Sequence, residues 1–275
     1  MARNPRLVFA AFLFVHIYYF FFDSNGPSNF LQRHHDARNN QNEKSKEQNK
    51  KLEFVHIPKT AGSTIEQIGA DAGLAWGACK FQGYYPQCLN LPDTVLRVEE
   101  KQHPCYNTEI ASWHCPPTKF RSGMGFYNNS KTFAIVRNPY DRIVSEYYWR
   151  MKADKTDFKT ANNADYFNQW ISNALDFVLK YGYYFSGHCI PMHEYTHLEG
   201  EPVVDHILYM ENLSTALPAL MEAYGIHNVS VNHRNPRNEM AKLSVRNMTP
   251  ASIHKVNYWA HLDFEYFGYD MILPD

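Results

Sequence analysis

Neither sign of charge is in excess in this chain of 275 residues: 27 Lys and Arg face 28 Asp and Glu, a formal net charge of −1. No global field therefore recruits DNA, RNA or an anionic membrane, and any attraction for a polyanion must come from a local patch. Nucleic acid is not an expected partner. Internal repeats are missing, and so is metal-ligand spacing: His103 near Cys105 and His114 beside Cys115 match no familiar zinc pattern, and no metal is expected. Apolar residues almost vanish between Asp23 and Lys51, in "DSNGPSNFLQRHHDARNNQNEKSKEQNKK". Such a segment cannot offset the entropy of folding and reads as a flexible stem.

What is present is a core-forming composition, 44% hydrophobic and 15% aromatic, enough for one folded domain over residues 52–275. Ahead of the stem, Arg3 and Arg6 in a short tail (1–6) precede an apolar run from Leu7 to Phe22 interrupted only by His16. As a helix those residues span about 24 Å, short against about 30 Å of hydrocarbon but able to cross a thin bilayer. Basic residues before the run and none close behind place the N-terminus in the cytosol and the rest in a lumen, a single-pass type II arrangement. A cleaved signal peptide is the alternative, with Ser24-Asn25-Gly26 imitating its cleavage pattern. Either reading sends residues 23 onward into the secretory route.

Sequons at Asn128, Asn212, Asn228 and Asn247 agree with that address, since such triplets are glycosylated only there. Five cysteines would meet an oxidising solvent. Nearness in sequence makes Cys79 with Cys88, and Cys105 with Cys115, candidate pairs; sequence does not fix the connectivity, and Cys189 is left over under that pairing.

Two apolar runs rich in β-branched and aromatic residues, "LEFVHI" (52–57) and "TFAIV" (132–136), each lead through a turn into helical patterning. Runs without clean alternation suit strands covered on both faces, so an α/β domain with a central parallel sheet is expected, with "DHILYM" (205–210) as a third strand. Helices are expected over "DYFNQWISNALDFVLKYG", closed by Gly182, after Asn212 up to Gly225, and from Thr249-Pro250, a cap followed by proline.

The first turn, "HIPKTAGST", carries the chemistry. Pro58 fixes the turn, Gly62 lets the backbone approach a ligand, and a helix is expected to start near Ser63 or Thr64 with its N–H groups facing an oxyanion. Lys59 adds charge; Thr60, Ser63 and Thr64 add hydroxyls. Lysine precedes glycine here, unlike the triphosphatase pattern G-x-x-x-x-G-K-[ST]. In that order "FVHIPKTAGST" resembles the 5′-phosphosulfate loop of the Golgi carbohydrate sulfotransferases, which use 3′-phosphoadenosine 5′-phosphosulfate. The second unit, "TFAIVRNPYDRIVSEYYW" (132–149), is similar to the 3′-phosphate element of that family, with Arg137 as a bidentate phosphate contact and Ser145 as a hydroxyl contact. Asn138 and Pro139 read as helix cap and first turn, while Asp141 and Arg142 read as solvated charges or local partners. "HCIPMHEY", "VDHILYMENL" and "HLDFEYFGYD" look like later landmarks, extending the resemblance over roughly 52–270, although Met192 replaces the usual glutamine.

The resemblance implies a P-loop-like three-layer sandwich, with the donor held by Lys59, Thr60, Ala61, Gly62, Ser63, Thr64, Arg137 and Ser145. It also implies a Golgi membrane enzyme moving a sulfuryl group to a glycan hydroxyl, protein tyrosine being the weaker acceptor. Lys59 is the natural partner of the departing phosphate oxygen. "ASWHCPPTKF" is similar to the segment that holds the histidine base of heparan sulfate 2-O- and 6-O-sulfotransferases, so His114 is the expected base, against a structural role. His56 reads as a satisfied sheet residue. His188, His193 and His197 read as acceptor-groove or surface residues, and Arg234 and Arg237 as contacts to donor or acidic glycan. The rival readings are a metal-dependent nucleotide kinase or triphosphatase, and a silent glycan-binding relative.

Overall fold

The computed structural model describes residues 51–81, 88, 91, 105, 108–119, 127, 129–229, 231 and 241–274, all within one compact unit, Gln48–Asp275. The apolar run 7–22, the stem up to residue 50, His103, Asn128, Arg234 and Arg237 lie outside the described residues. Among the described residues no helix is long and apolar enough to cross a membrane.

Three parallel strands form the sheet in the order β1 (Lys51–Val55), β2 (Ser130–Val136), β3 (His206–Tyr209). Val55 pairs with Ala134, and Val136 with Tyr209. Period-2 alternation sends Leu52, Phe54, Phe133 and Ile135 to one face and Val55, Ala134 and Val136 to the other, and both faces are buried. The first face is covered by α1 (Gly62–Asp71) and α4 (Leu213–Ala223), through Ile65, Leu213, Leu217 and Met221, together with Trp76. Over the second face lie Ile190, Met192, Tyr195, Val204 and Phe267, mostly from short segments. The layers expected of a sandwich are thus unequal. Met192 is fully buried, so its thioether packs where glutamine would need a polar partner.

The crossover from β2 to β3 builds a helical core of its own. There α2 (Pro139–Ala153) and α3 (Ala164–Tyr181) pack with α5 (Pro250–Trp259) and α6 (His261–Phe267). Their limits follow local chemistry. The side chains of Asn138, Asn163 and Thr249 accept from the N–H groups of Tyr140, Tyr166 and Ser252 respectively, and prolines occupy the first helical position of α2 and α5. Gly182 ends α3 at a left-handed φ of 81°. Disulfides join Cys79 to Cys88 and Cys105 to Cys115, leaving Cys189 free and buried. Cys105 and Cys115 therefore offer no thiolate to a metal.

Candidate active site

The phosphate-type turn leaves β1 at Val55, two residues earlier than the apolar run suggests, and enters α1 at Gly62, slightly ahead of the expected Ser63 or Thr64. Lys59 and Ala61 both hold left-handed φ, 70° and 72°, a conformation that L-residues adopt at a cost. Thr64 and Ile65 N–H already bond to the Ala61 carbonyl, so Gly62 and Ser63 carry the N–H groups that precede the helical ladder. The hydroxyls differ from one another. Thr60 is fully buried and its Oγ1 donates to Ile57 O at 2.8 Å, so its hydroxyl braces the turn. Thr64 is buried and Ser63 exposed.

Gly62 also does something the sequence did not show. A Cβ there would fall 1.9 Å from His56 Nε2, so the glycine makes room for an imidazole. His56 Nδ1 donates to Glu66 Oε1 at 2.8 Å, and the same oxygen accepts from Ala78 N–H at 2.8 Å. His56 is satisfied, as expected, yet it lies against the loop.

His56 is the first of three imidazoles in successive edge-to-face contact. His114 meets it edge-on at 4.9 Å between centroids, and His188 meets His114 at 4.9 Å on the other side. His114 sits in a 3₁₀ turn, Ser112–His114, and its Nδ1 donates to Ser186 O at 2.9 Å. A carbonyl only accepts, so Nδ1 carries the proton and Nε2 keeps its lone pair. Burial holds the His114 pKa well below the ordinary imidazole value; His56, His188 and Lys59 push the same way, against the Ser186 carbonyl. His114 is therefore neutral at neutral pH and able to accept a proton at Nε2. His188 Nδ1 donates to Glu146 Oε2 at 2.8 Å. His193 instead donates to Asp263, and His197 stacks on Tyr266, so neither joins the three.

The second phosphate-type element meets the first directly. Arg137 Nη1, at the end of β2, donates to Lys59 O at 3.3 Å. Of the two roles expected of Arg142, a solvated charge or a partner of neighbouring groups, it takes the second. It is 2% exposed; Nε donates to Pro58 O at 3.0 Å, Nη2 donates to Ile190 O at 2.8 Å, and the guanidinium lies 5.6 Å over the Trp259 ring. Ser145 is half-buried on α2, one residue before Glu146 and about 100° from it around the helix, three residues after Arg142 and four before Trp149. Lys59 projects over the Trp149 ring at 5.4 Å. Burial is the main cause lowering its pKa to about 8, opposed by the Glu146 charge and helped by Arg137 and Arg142.

The turn between Tyr184 and His188 completes the site. Ser186, Gly187 and Cys189 all have left-handed φ, and a Cβ on Gly187 would strike Ile110 at 2.8 Å and His114 at 3.1 Å. Here only glycine fits. The turn aims the Ser186 carbonyl at His114 and leaves Phe185 outside, 52% exposed, with Arg150 stacked 4.6 Å from its ring. Trp149 lies between, 6.1 Å from Phe185 and 4.6 Å from His188. A ledge of aromatic rings thus leads from the histidines to solvent.

Lys59, Ala61, Gly62, Ser63, Arg137 and His114 are thus placed around one region. Glu66, Glu146, Trp149 and Phe185 were missed from the sequence. The only local hint was Glu146 beside Ser145; partners such as His188 are fixed by packing.

Among the curated proteins no sequence matches this chain. A sulfotransferase from Alicyclobacillus acidocaldarius of known crystal structure aligns over 77% of this chain and 96% of its own, at 11% identity and a TM-score of 0.37. A likeness that slight carries no argument. The sequence match does: residues 42–270 fit the Sulfotransferase family, and the chain belongs to that family.

Proposed function

We propose that this sulfotransferase moves a sulfuryl group from 3′-phosphoadenosine 5′-phosphosulfate to a glycan hydroxyl in the Golgi lumen, held there by its N-terminal anchor as a type II membrane protein. One observation carries the donor assignment: the two phosphate-type elements, 78 residues apart at Lys59 and Arg137, touch through a hydrogen bond. The residues suit a bisphosphorylated nucleotide. An ammonium and the Gly62 and Ser63 N–H groups belong to one turn, and the Arg137 guanidinium reaches it from the end of β2. The aromatic ledge favours a sugar acceptor, because pyranose C–H faces stack on rings while hydroxyls turn to solvent. The two disulfides, and the exposure of Asn212 and Asn228, support a lumenal address.

The chemistry follows from what each side chain can do. The acceptor oxygen bonds to sulfur as the bond from sulfur to the 5′-phosphate oxygen breaks, and the acceptor proton passes to His114 Nε2. Ser186 O holds the ring in the tautomer that makes this possible. Charge growing on the departing phosphate oxygen is met by Lys59 and the N–H groups of the turn. With a pKa of about 8, Lys59 is protonated about tenfold over at pH 7.

The test uses the purified protein, labelled donor and a panel of desulfated glycans. Lys59→Ala abolishes transfer. Arg137→Ala weakens binding to adenosine 3′,5′-bisphosphate by about tenfold or more. Unchanged binding in Arg137→Ala would show the second element to be misassigned; glycan binding without transfer would favour a silent relative.

A further inference from the structure

Glu146 is 1% exposed, yet only one of its carboxylate oxygens is used. Oε2 accepts from His188, whereas Oε1 has no hydrogen-bond partner among the described residues. A buried anionic oxygen without a donor is costly unless something else offsets the charge. Lys59 presents the complementary anomaly. Its ammonium is largely withdrawn from water over Trp149, and among the described residues no carboxylate lies within ion-pair distance of it. Glu146 and Trp149 are three apart on α2 and share a face, and Trp149 touches His188 as well as facing Lys59. One helix face therefore presents an underused anion and the ring on which an underused cation rests.

We propose that Glu146 is a positioning residue of the transfer site: Oε2 holds His188 against the base, and Oε1 is the resting counter-ion of Lys59, displaced when a donor phosphate takes the ammonium. This rests on Lys59 being the phosphate partner. The remaining charged and titratable groups facing the pair are Arg137, Arg142, His114, His188, Tyr184 and Cys189. Arg137, Arg142 and His114, when charged, oppose protonation of Lys59. The Cys189 thiol is pushed well up and stays neutral. Glu146 is the nearby carboxylate that keeps Lys59 charged, and its charge is the largest influence raising that pKa. Exchange of one anion for another lets Lys59 bind phosphate without first being pulled from a tight ion pair.

Competitive labelling of Lys59 with acetic anhydride across pH, read by mass spectrometry, tests this without nucleotide. In the wild-type protein reactivity rises through a midpoint near 8. In Glu146→Gln the midpoint falls by about one unit, making Lys59 about tenfold more reactive at pH 7. Glu146→Asp, one methylene shorter and still charged, falls less, and it replaces Glu146→Gln if that variant does not fold. A midpoint unmoved in whichever variant folds overturns the proposal. Titration with adenosine 3′,5′-bisphosphate adds a second signature. Glu146→Gln binds several-fold tighter than wild type at pH 6, where the competing anion is gone, and weaker at pH 8.5. Parallel weakening at every pH would mean a merely structural role and overturns it. Wild-type protein that fails to bind this nucleotide at any pH sinks the donor assignment, while the labelling still decides the counter-ion.

Discussion

Replacing Gly62 by alanine separates the two roles a glycine can have in this turn. Gly62 is not in the left-handed region, so backbone strain is not the issue; space is. The new methyl would lie 1.9 Å from His56 Nε2 and 2.4 Å from the carbons on either side of it, against an optimum of about 3.5 Å or more, so the ring must retreat by roughly 1.5 Å. It is held by the 2.8 Å bond to Glu66, by Phe54 at 5.5 Å and by His114 at 4.9 Å, and a retreat of that size breaks the first. Overpacking costs about 1–3 kcal/mol and the lost charge-assisted bond about 1.5–3 kcal/mol. Alanine returns at most about 1 kcal/mol of helix propensity. The net loss is about 2–5 kcal/mol, a fall in Tm on the order of 10 °C for a domain of this size. Urea denaturation followed by tryptophan fluorescence measures it. Gly73→Ala is the control: its φ is 76° with no atom within 4 Å, so it loses only the left-handed penalty of about 1–2 kcal/mol. In a His56→Ala background Gly62→Ala should cost almost nothing. If Gly62→Ala is no worse than Gly73→Ala, or costs as much without His56 as with it, the steric reasoning is wrong.

Further outcomes follow for the base and for the disulfides. His114→Ala lowers turnover with nucleotide affinity retained, and the wild-type acid limb of kcat falls well below the ordinary imidazole value of about 6.5, because the neutral form persists to lower pH. The same depressed pKa makes the His114 contribution to stability complete above about pH 6.5 and lost as pH falls through its folded-state value, which acid titration of unfolding checks. Each disulfide closes a short loop, with sequence separations of 9 and 10, so reduction costs roughly 2.5–3 kcal/mol per bond in a denaturant titration. Removing Cys105–Cys115 also lowers turnover, since Cys115 adjoins His114; removing Cys79–Cys88 lowers stability alone.

What the sequence made legible was local. The parallel sheet, the caps at Asn138 and Thr249, the Gly182 stop and both cysteine pairs rest on signals spread over a few residues, and local signals survive in the fold. The bracing bond of the Thr60 hydroxyl was not legible, because a turn that binds phosphate must also be held shut, and residue type does not say which hydroxyl does which. Fourteen histidines offered no way to see that His56 and His188 flank His114. Their locking partners stand 10 and 42 residues away, and the Ser186 carbonyl stands 72 residues from His114. Pairings of that range come from packing, which a pattern of types does not encode.

Packing also explains how a strained site persists. Left-handed backbone recurs at Lys59 and Ala61 in the loop and at Ser186, Gly187 and Cys189 in the turn, the two segments that present the ammonium and orient the base. Such strain, of order 1–3 kcal/mol at each non-glycine position, lasts only where neighbours over-determine the chain. One face of α2 supplies that restraint. Arg142 binds the carbonyl of Pro58, just before Lys59, and that of Ile190, just after Cys189, so one buried guanidinium clamps both segments. Glu146, one turn on, locks His188, and Trp149, near the next turn, floors Lys59. Arg142, Glu146 and Trp149 recur at i, i+4 and i+7, the spacing of a single helical face. Ser145, three residues after Arg142 and four before Trp149, borders that face. The helix expected to offer a phosphate-binding hydroxyl is also the brace on which the charge and the geometry of the site depend.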